Sequence, residues 1–209
     1  MPANQTYLAL NDGAILPQVG LGVWRTPGDE VADVVRTAIE AGYRLIDTAM
    51  IYGNEAGVGE GLKAATDPVF VTTKLWNADQ GFDSALRAFD KSAKLLGREV
   101  IDLYLIHWPV AHRGLMVDSW KALIRLKSEG RIRSIGVSNF NAHHIDRIVA
   151  ETGVMPAVNQ IEVHPDFAQT ALRRVNADRG VITESWSPLG NARLLDDPGI
   201  VAIAGKHGK

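Results

Sequence analysis

The sequence of 209 residues predicts an α/β fold that closes as a (β/α)8 TIM barrel, and three observations lead to this prediction. Short apolar runs rich in valine and isoleucine alternate with stretches of helical periodicity, a pattern typical of parallel strands joined by helices. This alternation repeats along the whole sequence. The phosphate-binding motifs G-x-G-x-x-G and G-x-x-x-x-G-K-[ST] are absent from it. A closed barrel is therefore favoured over an open, doubly wound nucleotide-binding sheet.

The apolar runs are predicted to be strands buried on both faces, because their hydrophobic character is nearly continuous rather than alternating. They cover residues 19–23, 44–47, 69–72, 102–106, 134–137, 157–161 and 181–184. No eighth run follows them, although a closed barrel of this type usually needs ~250 residues. We expect residues 1–209 to form a single barrel domain that lacks the eighth strand and the C-terminal segment.

Stretches with helical periodicity fill the intervals between these runs. Thr26, Pro27 and Asp29 predict a helix start, with threonine as the cap and proline in the first turn. Apolar positions then recur on one face until Gly42, which is a typical stop residue. Four further helices are predicted to end at Gly97, Gly130, Gly153 and Gly180, and another helix follows the last run.

Composition excludes several classes of protein. The 22 basic and 24 acidic side chains give a net charge of -2, which argues against a general nucleic-acid binder or a membrane-surface protein. No apolar run approaches the ~18–20 residues of a membrane span, and the N-terminus lacks the layout of a secretory signal. The absence of cysteine excludes thiol nucleophiles and cysteine-bound metals, and it favours a cytoplasmic location.

Four polar residues close or follow consecutive predicted strands, where the catalytic groups of a barrel lie. Asp47 closes the second run, Lys74 follows the third, and His107 follows the fourth. Tyr52 comes five residues after Asp47, in the same loop. Each residue alone has an ordinary explanation, such as capping, solvation or packing. Together, on adjacent strand ends, they indicate a catalytic group.

These four residue types suit proton transfer to a carbonyl oxygen. A tyrosine phenol has an ordinary pKa of about 10, and a nearby ammonium group lowers it. We expect Lys74 to lower the pKa of Tyr52, Asp47 to hold Lys74 through an ion pair, and His107 to orient the substrate by a hydrogen bond. None of the four is a nucleophile or an electron donor, so carbonyl reduction would need a hydride from a cofactor.

Seven segments of the chain resemble the signatures of the aldo-keto reductase family. They are GLGVW (20–24), IDTA (46–49), IYGNE (51–55), VTTKLW (71–76), DLYLIHWP (102–109), IGVSNF (135–140), and VNQIE (158–162) followed by HP (164–165). Within the family, the sequence most resembles the bacterial members that are grouped with 2,5-diketo-D-gluconate reductases. The resemblance implies a (β/α)8 barrel that binds NADPH without a Rossmann motif and reduces aldehydes and ketones.

The resemblance also implies roles for individual residues. Tyr52 would be the general acid, Lys74 and Asp47 its tuning pair, and His107 the orienting donor. Cofactor contacts are implied for Gly22, Ser138, Asn139, Gln160, Trp186, Ser187, Leu189 and Gly190. Of these, residues 138, 139 and 160 would hold the nicotinamide carboxamide, residue 186 would stack on its ring, and residues 187–190 would line the pyrophosphate. An apolar substrate pocket would be walled by Trp24, Trp76 and Trp108.

Some expectations rest on this resemblance alone, and two other functions stay open. The preference for NADPH over NADH is one such expectation, because the family segment that grips the 2′-phosphate has no counterpart here. A non-catalytic subunit of the same fold is one alternative. A protein that has lost its activity would have no need to keep all four of Asp47, Tyr52, Lys74 and His107, and this argues against it. A metal-dependent hydrolase is the other, and it would need several histidines and carboxylates at strand ends.

The remaining histidines do not predict a metal site. His143 and His144 are adjacent on a helix, so their side chains point about 100° apart, and no acidic partner shares their face. His112 stands alone, and His164 precedes a proline in a loop. We expect a carbonyl reductase that acts on a small molecule, without a metal, nucleic-acid or membrane partner, and the family resemblance implies a monomer.

Overall fold

The computed structural model describes residues 5–208, within which seven parallel strands form one sheet in chain order. An antiparallel hairpin of β1 (Tyr7–Ala9) and β2 (Ile15–Pro17) precedes them. The parallel strands are β3 (Leu21–Gly22), β4 (Leu45–Asp47), β5 (Phe70–Leu75), β6 (Ile101–Ile106), β7 (Ile132–Ser138), β8 (Val158–Glu162) and β9 (Ile182–Trp186). Each predicted apolar run contains one of these seven strands or overlaps it. The predicted parallel α/β fold is confirmed.

A helix links each parallel strand to the next, and consecutive helices pack against one another. They are α1 (Val31–Glu40), α2 (Glu55–Leu62), α3 (Phe82–Leu96), α4 (Met116–Ser128), α5 (Ala142–Thr152), α6 (Thr170–Asp178) and, after the last strand, α7 (Pro198–Lys206). Gly97 and Gly153 cap α3 and α5 in the left-handed conformation, as predicted. None of the helices in residues 5–208 is long and apolar enough to cross a membrane.

The predicted start of the first helix is wrong. Helix α1 begins at Val31, and its N-cap residue Glu30 makes no capping hydrogen bond through its side chain. The carbonyl oxygen of Pro27 instead accepts hydrogen bonds from the backbone N–H groups of Glu30 and Val31, at 3.1 and 3.0 Å. A proline-led turn therefore precedes the helix.

Helix α2 was not predicted, because it contains three glycines and glycine is a weak helix former. The structure gives the reason for them. A Cβ atom at Gly59 would lie 2.8 Å from the carbonyl oxygens of Leu95 and Leu96 on α3, and one at Gly61 would lie 2.7 Å from the carbonyl oxygen of Ala32 on α1. The glycines allow α2 to pack directly against the backbones of its two neighbours.

We expect Gly59→Ala to destabilise the fold by ~1–3 kcal/mol, because the added methyl group meets backbone atoms that cannot move freely. This loss outweighs the gain of up to ~1 kcal/mol that alanine has over glycine in a helix. Gly205→Ala in α7 is the matched control, since no atom lies within 4 Å of the added carbon, and it should be stabilising. Urea denaturation of both variants measures the difference, and a gain in stability for Gly59→Ala would contradict the packing argument.

The hairpin, also not predicted, covers the end of the sheet where the strands begin. Leu10 and Leu16 pack with the inward-facing side chains Leu45, Leu103 and Leu105 in a core separate from the larger one between sheet and helices. The hairpin loop is fixed to the same end of the sheet by hydrogen bonds to residues 134 and 156. The opposite end of the sheet, where the strands finish, is left open.

The parallel register aligns the C-terminal ends of the strands. Asp47 pairs with Thr72, Ser138 pairs with Gln160, and Gln160 pairs in turn with Glu184. The sheet ends at β3 on one side and at β9 on the other, and no strand joins these two within residues 5–208. The arrangement is that of a (β/α)8 barrel without one of its strands, as the sequence predicts.

Candidate active site

A cleft of about 1080 Å³ runs from the hairpin along the gap between β3 and β9 and opens at the C-terminal ends of the strands. It brings together twelve of the residues singled out from the sequence: Gly22, Trp24, Asp47, Tyr52, Trp76, His107, Trp108, Ser138, Asn139, Gln160, Trp186 and Ser187. Lys74 lies beneath the cleft and is only 1% exposed. Strand ends that are far apart in the sequence therefore meet at one concave site, as expected for a barrel.

Lys74 is held by two short hydrogen bonds at the floor of the site. Its Nζ donates to Oδ1 of Asp47 at 2.6 Å and to the carbonyl oxygen of Thr48 at 2.9 Å. Thr72 pairs with Asp47 on the neighbouring strand, and Lys74 lies two residues further on, on the same face of β5. The same Nζ is 5.3 Å from the centre of the Tyr52 ring. The ion pair and the phenol therefore lie next to one another beneath the cleft.

Tyr52 lies in a short 3-10 turn (Met50–Tyr52) whose position depends on a residue that sequence reasoning missed. Asn54 is almost fully buried. Its Oδ1 accepts a hydrogen bond from the Thr48 hydroxyl at 2.8 Å, and its Nδ2 donates to the carbonyl oxygens of Val23 and Thr26. Asn54 therefore ties the loop that contains Tyr52 to two neighbouring segments.

The pKa of Tyr52 is not lowered overall. Burial raises the pKa of Tyr52 above 10, the Lys74 ammonium lowers it, and the charge of Asp47 raises it again. Lys74 does act in the predicted direction, but its charge is largely balanced by Asp47 and does not overcome burial. For Lys74 itself, burial lowers the pKa, but the charges of Asp47 and Tyr52 outweigh burial and leave the pKa raised. At neutral pH the phenol is protonated and the amine is charged.

His107 is a neutral imidazole at physiological pH. Burial, together with the neighbouring Lys74 charge, lowers the pKa of His107 to about 3. Its ring meets those of Tyr52 and Trp76 edge to face, with centroids 5.9 and 5.2 Å away. Nδ1 of the imidazole is buried and has no hydrogen-bond partner among the described residues. A neutral imidazole can donate one hydrogen bond to a substrate oxygen, but it has no extra proton to give.

A second network fixes the side chains at the far side of the cleft. Asn139 adopts a left-handed backbone conformation, and its Nδ2 donates to the His107 carbonyl oxygen and the Ser138 hydroxyl, both at 3.0 Å. Its Oδ1 accepts a hydrogen bond from Nε1 of Trp186 at 3.0 Å. This hydrogen bond anchors the Trp186 indole at the mouth of the cleft. Most of the hydrogen-bonding groups of the Asn139 side chain are therefore already used within the protein.

Glu184 is a site residue that the sequence reasoning missed. Nε2 of Gln160 donates to Oδ2 of Asp47 and to Oε1 of Glu184, both at 2.9 Å. Burial, followed by the Asp47 charge, raises the pKa of Glu184 to about 7. The rule that identified Asp47, a polar residue that closes an apolar run, also applies to Glu184 at the end of the seventh run.

The raised pKa of Glu184 predicts a pH-dependent stability. Below about pH 4.5 the carboxyl is protonated in both the folded and the unfolded chain, whereas between about 4.5 and 7 only the folded chain retains the proton. Stability therefore falls as pH rises through this window. We expect Glu184→Gln to raise Tm relative to the wild type more at pH 8 than at pH 5. Glu40→Gln, at an exposed position, is the control, and an equal effect of Glu184→Gln at both pH values would contradict the argument.

Not every predicted residue lines the cleft. Leu189 is 63% exposed, and neither it nor Gly190 belongs to the cleft wall. A Cβ atom on Gly190 would lie 3.6 Å from the imidazole of His164, so this loop packs on the loop after β8. Trp24 and Trp108 are about half exposed at the rim, as a pocket wall requires.

The histidines outside the cleft serve the local structure. The rings of His143 and His144 lie 3.9 Å apart, and Nδ1 of His144 accepts a hydrogen bond from the backbone N–H of Asn141 at the start of α5. His164 forms an isolated β-bridge with Phe167. In the part of the chain that the structure describes, no group of three or more side chains is placed to hold a metal ion.

Comparison with known proteins agrees with this geometry. The Aldo/keto reductase family model matches residues 18–198. An aldo-keto reductase of Mycolicibacterium smegmatis is 52% identical over 205 residues, which cover 97% of this chain and 74% of that protein. The methylglyoxal reductase DkgA of Salmonella typhimurium is 48% identical over 212 residues, which cover 99% of this chain and 76% of that protein.

The fold of solved relatives is also the same. The crystal structure of a Gox0644 variant in complex with NADPH matches with a TM-score of 0.95 and 54% identity, over 99% of this chain and 76% of that one. The family match, the sequence identity and the shared fold each extend over most of the chain. The protein belongs to the aldo/keto reductase family.

Proposed function

We propose that the chain reduces the carbonyl group of aldehydes and ketones to an alcohol with NADPH, and that Tyr52 is the proton donor. One observation carries the proposal. The buried Lys74–Asp47 ion pair lies directly beside the Tyr52 phenol, and a cleft opens above them with His107 on its wall. In this family, such an arrangement supports acid catalysis at a carbonyl oxygen.

The nicotinamide end of NADPH suits the residues on the far side of the cleft. The indole of Trp186, fixed by its hydrogen bond to Asn139, offers a flat surface in the same cleft as Gln160. Gly22, Ser138 and Ser187 also line this region, while Leu189 and Gly190 would have to be reached from the loop beyond it. When bound, NADPH supplies the hydride that reduces the carbonyl carbon. A solved relative that contains NADPH supports this choice of cofactor.

The chain's own residues provide the proton and the orientation. His107 is neutral and donates a hydrogen bond to the carbonyl oxygen, while the Tyr52 phenol gives that oxygen its proton. The Lys74 ammonium stabilises the phenolate that remains, and Asp47 keeps Lys74 charged although it is buried. Tyr52 is the proton donor in this scheme because the imidazole is not protonated at neutral pH and the ammonium is held by the Asp47 and Thr48 oxygens.

The substrate is proposed to be a small carbonyl compound. Trp24 and Trp108 at the rim and Trp76 beside His107 form an apolar wall around the reacting position. The Arg25 guanidinium lies 4.1 Å from the centre of the Trp24 ring and would favour a polar or anionic group at the rim. A relative named as a methylglyoxal reductase supports short 2-oxoaldehydes as the first compounds to assay.

Loss of NADPH absorbance, measured with a panel of aldehydes, ketones and dicarbonyls, tests the proposal. We expect the purified chain to oxidise NADPH in step with alcohol formation, and to prefer small carbonyl compounds. A folded chain that binds NADPH but reduces none of the panel would instead favour a non-catalytic subunit. We also propose that the chain is monomeric and cytoplasmic, and size-exclusion chromatography together with cell fractionation would test this.

A further inference from the structure

The amide of Gln160 is held by two carboxylates at once. Its Nε2 donates to Oδ2 of Asp47 on β4 and to Oε1 of Glu184 on β9. An amide nitrogen carries two hydrogens, and both are used by these contacts. The amide oxygen could not replace the nitrogen there, because it would then face Oδ2 of the Asp47 carboxylate, which is itself an acceptor. The orientation of the amide is therefore fixed, and its carbonyl oxygen is the atom left to bind a ligand in the cleft.

Glu184 lines the cleft, and its side-chain hydrogen bond is to Gln160. The two residues are paired in the parallel register of β8 and β9. Oε1 of Glu184 accepts the hydrogen bond, and Oε2 is buried with no hydrogen-bond partner among the described residues. The charged groups that act on Glu184 are Asp47 and Lys74, on β4 and β5. Helix α6, on the other side of β9, contributes an uncharged contact between residues 176 and 183.

We propose that Glu184 is a positioning residue which, together with Asp47, orients the Gln160 amide so that its oxygen accepts the N–H group of the nicotinamide carboxamide. This inference rests on the proposed function. A carboxamide has a donor side and an acceptor side, so a fixed acceptor at Gln160 distinguishes the two ways in which the ring can lie in the cleft. Glu184 would thereby select the face of the ring that is turned toward the substrate.

Two variants separate the hydrogen bond from the charge. Glu184→Leu has a similar volume but no acceptor, so the amide of Gln160 is free to rotate. Glu184→Gln can keep an acceptor oxygen at the position of Oε1; it removes the ionisation and puts an NH2 group in place of Oε2. We expect roughly a tenfold rise in the Kd for NADPH in the leucine variant, the value of about one hydrogen bond, and a Kd close to that of the wild type in the glutamine variant.

The stereochemistry of hydride transfer gives a readout that a merely structural role would not change. With NADPH deuterated on one face of C4, the wild type and Glu184→Gln should transfer from a single face, and Glu184→Leu from both faces. Single-face transfer in the leucine variant would overturn the proposal, because lost stability alone lowers the rate without altering the face.

A cofactor-free measurement tests the positioning separately from the proposed function. In ¹⁵N-labelled protein, the side-chain amide signals of Gln160, assigned with Gln160→Met, should shift as Glu184 titrates. The shift should be lost in Glu184→Gln. If the chemical shifts of the Gln160 amide change neither with pH nor on substitution of Glu184, the inference is overturned, even if the enzyme is active. If no carbonyl compound is reduced, the proposed function fails while this measurement still reports the amide orientation.

Discussion

Tyr52→Phe is expected to lower kcat for carbonyl reduction by ~10²–10⁴, the usual contribution of a positioned general acid. The substitution removes the phenol oxygen but keeps the ring that packs edge to face on His107. His107 cannot take over, because burial together with the Lys74 charge lowers its pKa to about 3 and leaves it unprotonated at neutral pH. Steady-state assays with NADPH and a small aldehyde measure the loss, and the Kd for NADPH should change little.

Tyr104→Phe is the matched control for this prediction. Tyr104 is fully buried away from the cleft, and its hydroxyl has no hydrogen-bond partner among the described residues. Removing an unpaired buried hydroxyl costs no hydrogen bond, so we expect full activity and equal or slightly higher stability. Retention of wild-type kcat in Tyr52→Phe would remove Tyr52 from the mechanism.

Asp47→Asn is expected to destabilise the protein by ~3 kcal/mol and to impair catalysis as well. Lys74 is 1% exposed, and Asp47 provides its only carboxylate partner within hydrogen-bond distance in the part of the chain that the structure describes. Removing one partner of a buried ion pair leaves the other charge without compensation. Asp47 also accepts a hydrogen bond from Gln160. We therefore expect the variant to weaken the positioning of both Lys74 and the Gln160 amide.

The control for this variant is an ion pair of the same type at the surface. Asp146 accepts hydrogen bonds from two nitrogens of Arg179, but its side chain is 56% exposed. We expect Asp146→Asn to cost at most ~1 kcal/mol, because water screens the pair. Urea denaturation of the two variants gives the comparison. Equal losses would show that burial of Lys74 does not set the energetics of the site.

The sequence was sufficient to predict those parts of the fold that follow from continuous apolar runs and from glycine stops. All the parallel strands and most helices belong to this class, because burial on both faces leaves a strong local signal. That Asp47, Lys74 and His107 lie together was also predictable, since each directly closes or follows such a run. Strand ends meet at one rim in any barrel, so position in the sequence was enough.

Other features depend on contacts that no local pattern records. The glycines of α2 are explained by the backbones of α3 and α1, which are distant in the sequence. The pKa of Tyr52 is set by burial together with the opposite charges of Lys74 and Asp47. The identity of these neighbours alone therefore did not predict whether the pKa would be raised or lowered. Glu184 acquires its role only through the side chain of Gln160 on the adjacent strand.

Titration of the Tyr52 phenol is the most direct test of the account. ¹³Cζ-labelled tyrosine reports ionisation of each phenol by NMR, and Tyr52→Phe identifies the signal. The account predicts a pKa above 10 for Tyr52 in the wild type and a still higher pKa in Lys74→Met, because the ammonium that lowers it is gone. A pKa of Tyr52 that stays constant or falls in Lys74→Met would contradict the claim that Lys74 tunes the proton donor.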